Sequence, residues 1–249
     1  MEKEFTLVEH LRELRARIIV CLVAFGISIL VIWPFTSAIL WMLKLPAAGL
    51  IEKLAFFSPQ EAFTIYMQVA MFCAGIISMP VIIYEFWQFI APAMEARLRR
   101  KVSFFIIFCF LAFVMGGAFA YFVLIPPALK FLLSFANGQL MPIISAQKYF
   151  SFLTTLILGC GLIFQMPILT LILTKLKIIT ARFLRNKYKY AIVIILILAA
   201  VITPTTDIMN MILLAAPMIL LYEISIWVAF FAGPKKGMSN LTHSLPNVG

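Results

Sequence analysis

The chain has 249 residues, 64% of them hydrophobic and only 12% charged, with a mean hydropathy of +1.08. A soluble domain carries about twice that charge, so the composition excludes a water-soluble globule. The apolar runs are long enough for membrane helices rather than barrel strands. The net charge of +10 does not call for nucleic acid, because the bases cluster between the apolar runs, where membrane topology and anionic lipid account for them.

The first element is Val8-Glu9-His10-Leu11-Arg12-Glu13-Leu14-Arg15-Ala16-Arg17. Leu7, Leu11, Leu14 and Ile18 recur at steps of three and four, which predicts an amphipathic helix. Glu13 stands four residues from both Glu9 and Arg17, so carboxylates and guanidiniums share one face. Taken alone, the stretch fits a juxtamembrane helix whose arginines set topology. It equally fits a docking surface on which a carboxylate meets a positively charged partner.

The helix leads without a break into segment one, about residues 18–40, which Pro34 bends or ends. The run 18–32 is too long for the core of a signal peptide and lacks an Ala-x-Ala exit, so it reads as a retained anchor. An irregular stretch with Pro46, Gly49 and Pro59 follows. Segment two covers about 62–90 with Pro80 inside, and segment three about 102–125. The small residues Gly116-Gly117-Ala118 permit close helix approach in segment three, and Pro126-Pro127 is expected to close it. Segment four covers about 149–173 with Pro167 inside.

Segment five is apolar only over about 190–202, and its roughly thirteen residues span about 20 Å against about 30 Å of hydrocarbon. Segment six starts after Asp207 and meets Glu223 about sixteen residues on, so both are expected to be short spans that thin the bilayer or lie against a partner. The four cysteines, Cys21, Cys73, Cys109 and Cys160, fall inside apolar runs and read as small buried hydrophobes.

With both termini inside, the inner segments hold Lys3, Arg12, Arg15 and Arg17, then Arg97, Arg99, Arg100 and Lys101. They also hold Lys175, Lys177, Arg182, Arg185, Lys187 and Lys189, and finally Lys235 and Lys236. The outer segments keep Lys44, Lys53, Lys130 and Lys148. That asymmetry predicts six spans with N- and C-termini cytoplasmic. The expected organisation is a six-span membrane domain over 1–232 with an N-terminal amphipathic helix, then a polar cytoplasmic tail over 233–249, expected to be disordered.

The catalytic inventory is thin. Two histidines, His10 and His243, cannot make an HExxH zinc site, and one aspartate, Asp207, cannot make an intramembrane dyad. GxSxG, Walker A and GxGxxG patterns do not occur. The chain reads as a non-enzyme with no metal and no cofactor.

Ionisable and amide groups at membrane depth are costly and mark function by default. Glu85 lies in Tyr84-Glu85-Phe86-Trp87, near the end of segment two, where it reaches water or serves a site. Glu61 and Asp207 are placed to cap segments two and six. Gln165 precedes Pro167, whose missing N–H frees a carbonyl; the amide can satisfy that backbone or a neighbouring helix. Glu223 lies in the inner part of segment six.

Several stretches in order then resemble a known family. They are His10-Leu11-Arg12-Glu13-Leu14-Arg15, Phe89-Ile90-Ala91-Pro92-Ala93, Gly117-Ala118-Phe119-Ala120-Tyr121-Phe122, Phe164-Gln165-Met166-Pro167, Thr203-Pro204 with Asp207, and Leu214-Ala215-Ala216-Pro217. Together, over about residues 5–232, they resemble the TatC family of the twin-arginine protein translocase. The resemblance implies an all-α membrane protein of the bacterial inner membrane: six transmembrane helices in a concave, glove-like bundle with short fifth and sixth spans. It implies a receptor for twin-arginine signal peptides of folded precursors, working with single-span TatA and TatB subunits, self-associating, and driven by the proton-motive force.

Carried over residue by residue, the resemblance makes Glu13 the first arginine-binding acid. Arg15 and Arg17 then orient it, and Phe89 and Pro92 form an aromatic-proline wall. Guanidinium forks meet carboxylates in bidentate bonds that lysine does not copy. An exposed pair contributes about 1 kcal/mol or less, so such a receptor needs more than one acid. Here the sequence departs: the position of the family's second acid falls on Leu98, and Glu95, three residues earlier, is expected to replace it. Glu85 stands where the family usually has an amide, and Gln165 where members often have Glu. The alternative is a proton-coupled small-solute carrier using Glu85, Gln165 and Glu223, against which stands the lack of a repeat between the two halves.

Overall fold

The computed structural model describes residues 7–48, 50–51, 54–90, 102–135, 143–203 and 207–233. With no water in hydrocarbon to satisfy backbone groups, apolar runs of this length close their own hydrogen bonds as helices. α1 runs Leu7–Ile32, so the polar opening stretch and the apolar run are one helix. A 3₁₀ turn at Trp33–Phe35 absorbs Pro34, and α2 continues over Thr36–Lys44. α3 covers Pro59–Ile90, running through Pro80.

α4 covers Val102–Phe119 and passes through a π-helical turn at Ala120–Leu124 into α5, Ile125–Ser134. Pro126-Pro127 therefore does not close the third segment. The π turn resets the hydrogen-bond register, and the prolines sit in the first turn of α5, where a missing N–H costs nothing. α6, Ala146–Ile163, and α7, Met166–Lys175, are two halves of the fourth segment, interrupted at Phe164-Gln165 before Pro167. α8 is the short helix Ala181–Asn186, α9 covers Tyr188–Ile202, and α10 covers Ile208–Ala232.

Five stretches are long and apolar enough to cross a membrane: Leu11–Ala47, Pro59–Phe89, Phe105–Ser134, Ala146–Lys175 and Ile208–Ala232. α9 is the short apolar helix, 15 residues, or about 22 Å at 1.5 Å per residue. The expectation of a short sixth segment is corrected: α10 has 25 residues. Glu223 does not end it, because Ile224-Ser225-Ile226-Trp227-Val228-Ala229-Phe230-Phe231-Ala232 keeps the helix apolar beyond that acid.

α1 packs along α3, α3 against α4 and α6, α4 against α6, α7 against α10, and α10 against α9. The shared core includes Ile65, Val69, Leu124, Leu153, Leu156, Leu214 and Met218. Outward faces are apolar too: Leu30, Val201 and Phe231 are about three-quarters exposed (76%, 75% and 76%), as suits a lipid-facing surface. Gly116 lets α4 meet α6; a Cβ there would lie 2.6 Å from the Cys160 carbonyl oxygen. Gly159 seats the end of α9, since a Cβ there would lie 2.5 Å from Ile202 Cγ2.

The end of the bundle opposite Glu13 is tied by polar contacts. A two-residue parallel pair joins β1, Leu54–Ala55, to β2, Ile144–Ser145, with Leu54 opposite Ile144. The last carbonyls of a helix lack intrahelical donors. At the end of α2, the hydroxyls of Tyr121 and Tyr149 donate to the carbonyls of Met42 (2.6 Å) and Leu43 (2.8 Å).

Candidate functional site

α1 places Glu13 and Arg17 one turn apart on a face turned toward α3. Arg17 Nε donates to Glu13 Oε1 at 3.1 Å, with Nη2 on the same oxygen. Nη1 crosses to Glu85 Oε2, near the end of α3, at 2.9 Å. The side chains are 20% (Arg17), 27% (Glu13) and 14% (Glu85) exposed, so the triad is screened from bulk water. One guanidinium thus holds two carboxylates from different helices that would otherwise repel. Among the described residues, Glu13 Oε2 and Glu85 Oε1 accept no hydrogen bond. One guanidinium faces two carboxylates, and among the described residues each keeps one oxygen as an acceptor for further guanidinium donors.

On the other side of α3, Trp87 is buried and stacks on Phe105, ring centroids 4.7 Å apart, in a cluster with Cys109, Ile168 and Ile172. This apolar cluster ties the end of α3 to α4 and α7. Phe89 is half-buried on the last turn of α3. Arg15 is exposed, and Pro92, Glu95 and Leu98 lie outside the described residues.

The other polar groups serve the bundle. Gln165 Nε2 donates to the Cys109 carbonyl on α4 at 3.0 Å, so its amide answers a neighbouring helix. Asp207 caps α10, accepting from the Asn210 backbone N–H at 2.7 Å and from its Nδ2 at 2.9 Å. Glu61 accepts from the Phe57 N–H at 3.1 Å, closing the start of α3. Glu223 is half-buried on α10. No contact joins Glu85, Gln165 and Glu223, the set that a carrier would draw on.

Two features escaped the sequence reading. The Glu85 partner was one, although an arginine entering segment one and an acid leaving segment two lie at equal depth in an antiparallel helix pair. The other is Gln68. Its Nε2 donates to Thr154 Oγ1 (2.9 Å), and Ser151 Oγ donates to its Oε1 (3.2 Å). Gln68 and Thr154 line a cleft of about 640 Å³ bordered also by Phe25, Thr64 and Thr155. An amide in one apolar run and Ser/Thr in another was the available signal. Among the described residues no three of His, Cys, Asp and Glu converge.

The sequence matches the family of Sec-independent protein translocase proteins (TatC) over residues 9–217. It is 39% identical over 239 residues to the Sec-independent protein translocase protein TatC of Koribacter versatilis, covering 94% of this chain and 88% of that one. Identity to the TatC protein of Carboxydothermus hydrogenoformans is 36% over 235 residues, covering 94% and 97%. Identity to that of Aquifex aeolicus is 38% over 234 residues, covering 92% and 97%. The fold superposes on a crystal structure of the twin-arginine translocase receptor TatC with a TM-score of 0.82 at 37% identity, covering 90% of this chain and 99% of that chain.

Proposed function

The chain belongs to the TatC family, and on that premise we propose that it receives the paired arginines of twin-arginine signal peptides on Glu13 and Glu85. The observation that carries this reading is the Arg17 bridge, which holds the two carboxylates side by side, each with one oxygen that accepts no bond among the described residues. Two incoming guanidiniums meet one carboxylate each. Lysines in their place give single point contacts and lose the fork geometry. Phe89 and Pro92 wall the site, Glu95 adds an acid in the loop that follows, and Arg15 adds charge that steers without bonding.

The basic asymmetry of the connecting segments supports both termini on the cytoplasmic side of a bacterial inner membrane. The five long apolar stretches and α9 then make six spans in a concave bundle. α9, shorter than the hydrocarbon is thick, is where a single-span TatA or TatB helix relieves the mismatch. Gln165, Glu223 and the Gln68 cluster supply polar groups at depth where folded precursors pass, with the proton-motive force as driver and self-association building the translocase. The chain performs no catalysis of its own.

The test is a pull-down of the full chain in detergent with a twin-arginine signal peptide beside its twin-lysine counterpart. The arginine form is expected to be retained at least tenfold better, and Glu13→Ala to erase the difference. Equal retention of both peptides by the unaltered chain overturns the receptor reading.

A further inference from the structure

Residues 175–189 carry six bases, Lys175, Lys177, Arg182, Arg185, Lys187 and Lys189, and no acid. The structure gives part of this charge a shape. Thr180 Oγ1 accepts from the Phe183 N–H at 3.2 Å and starts α8, which sets Arg182 and Arg185 on one face, three residues apart. That face and the last turns of α10 enclose a cavity of about 500 Å³, lined by Arg182, Arg185, Asn186, Ile226, Trp227 and Phe230.

Among the described residues neither guanidinium has a carboxylate partner, and both are exposed. The two ion pairs among the described residues belong to Arg17. Beyond Glu95 the chain has two acids, Asp207 and Glu223. Asp207 caps the far end of α10, and Glu223 does not line the cavity. The location is a membrane boundary: Trp227 and Phe230 are exposed near the end of a span-length apolar helix, the position of an interfacial aromatic belt. Bare phosphate would use the guanidiniums and leave the exposed faces of Trp227 and Phe230 uncovered.

We propose that this cavity seats an anionic phospholipid, its phosphate between Arg182 and Arg185 and its acyl chain along Ile226, Trp227 and Phe230. A phosphodiester offers two non-bridging oxygens to two guanidinium forks. The lipid links α8 to α10 at a joint that the protein itself closes with the Tyr222 hydroxyl on the Leu184 carbonyl, 2.8 Å. The site requires only that the chain lie in a bilayer and stands apart from signal-peptide recognition.

The four tryptophans make the test direct. Trp33 and Trp41 sit at the opposite end of the first segment and Trp87 is buried, so Trp227 reports on the cavity. The full chain in neutral detergent is titrated with brominated phosphatidylglycerol or brominated phosphatidylcholine while tryptophan fluorescence is followed. Phosphatidylglycerol is expected to quench saturably, with a half-point about twenty-fivefold lower than phosphatidylcholine, about fivefold for each guanidinium. The R182Q/R185Q double variant is expected to bring the two lipids together, W227F to remove the saturable component, and inorganic phosphate to leave it in place. Equal quenching of the unaltered chain by both lipids overturns the proposal. So does a preference that survives R182Q/R185Q, a saturable component that survives W227F, or displacement by inorganic phosphate at lipid-like concentration.

Discussion

Arg17 and Glu85 lie 68 residues apart in the chain and meet at 2.9 Å. The contact follows from how α1 and α3 run. They belong to consecutive apolar segments and run antiparallel, so the start of one lies level with the end of the other. An arginine at the edge of an apolar run and a glutamate inside the next are each expensive there alone. Joined at one depth, with Glu13 on the second arm of the guanidinium, they neutralise most of that cost.

Energetic coupling is the first expected consequence. Arg17→Gln leaves two screened carboxylates facing each other and is expected to cost about 2 kcal/mol, the range for charged hydrogen bonds lost in partly buried sites. Adding Glu85→Gln removes the repulsion, so the double variant should cost less than the sum of the single ones by about 1 kcal/mol or more. Denaturant unfolding in detergent of all four proteins measures the term. Strict additivity would show that the two side chains act independently.

Gly116 makes a second case. A methyl group there meets the Cys160 carbonyl oxygen at 2.6 Å and the Phe164 ring at 2.9 Å, whereas at Gly117 the nearest atom is the Ile157 methyl at 3.2 Å. A side-chain methyl can yield by a few tenths of an ångström; a helical carbonyl moves only if α4 and α6 part. Gly116→Ala is expected to destabilise by about 1–3 kcal/mol and Gly117→Ala by clearly less, read as the difference in thermal midpoints.

The tyrosines at the end of α2 separate in the same way by burial. Tyr149 is buried and donates to the Leu43 carbonyl, while the hydrogen bond from Tyr121 to Met42 is exposed. Tyr149→Phe strands a carbonyl away from water, at a cost of about 1–3 kcal/mol. Tyr121→Phe hands its carbonyl to water and should cost about 0.5 kcal/mol. Equal losses would mean that burial does not govern this joint.

What was legible in the sequence follows from the range of each signal. Apolar run length located the long helices of segments one to four, and the brief apolar run from Tyr190 to Ile202 foretold the short one. The motif order pointed to the family that the comparisons establish. Punctuation misled twice, for physical reasons. Pro126-Pro127 reads as a stop, but a π turn upstream supplies a fresh helix start. Glu223 reads as an exit from the membrane, but nine apolar or small residues follow it. Side-chain partners between segments were invisible where nothing local hints at them: Gln68 finds Thr154 and Ser151 only because α3 and α6 pack.

On the proposed receptor reading, Glu85 rather than Glu95 meets the second arginine. Arg17 holds Glu85 beside Glu13, 14% exposed, with one oxygen that accepts no bond among the described residues. Screening makes a carboxylate–guanidinium bond worth more than at a wet surface. Glu85→Gln keeps the size and one acceptor oxygen but removes the charge. It is therefore expected to lower twin-arginine peptide affinity about tenfold while leaving the weak twin-lysine binding unchanged. Glu95→Gln is expected to shift affinity by less than twofold. Fluorescence anisotropy with labelled peptides at fixed salt separates the cases, because the unaltered chain's preference for arginine over lysine is measured alongside. If Glu95→Gln reproduces the loss and Glu85→Gln does not, the second carboxylate belongs to the loop, and the Arg17 bridge serves stability alone.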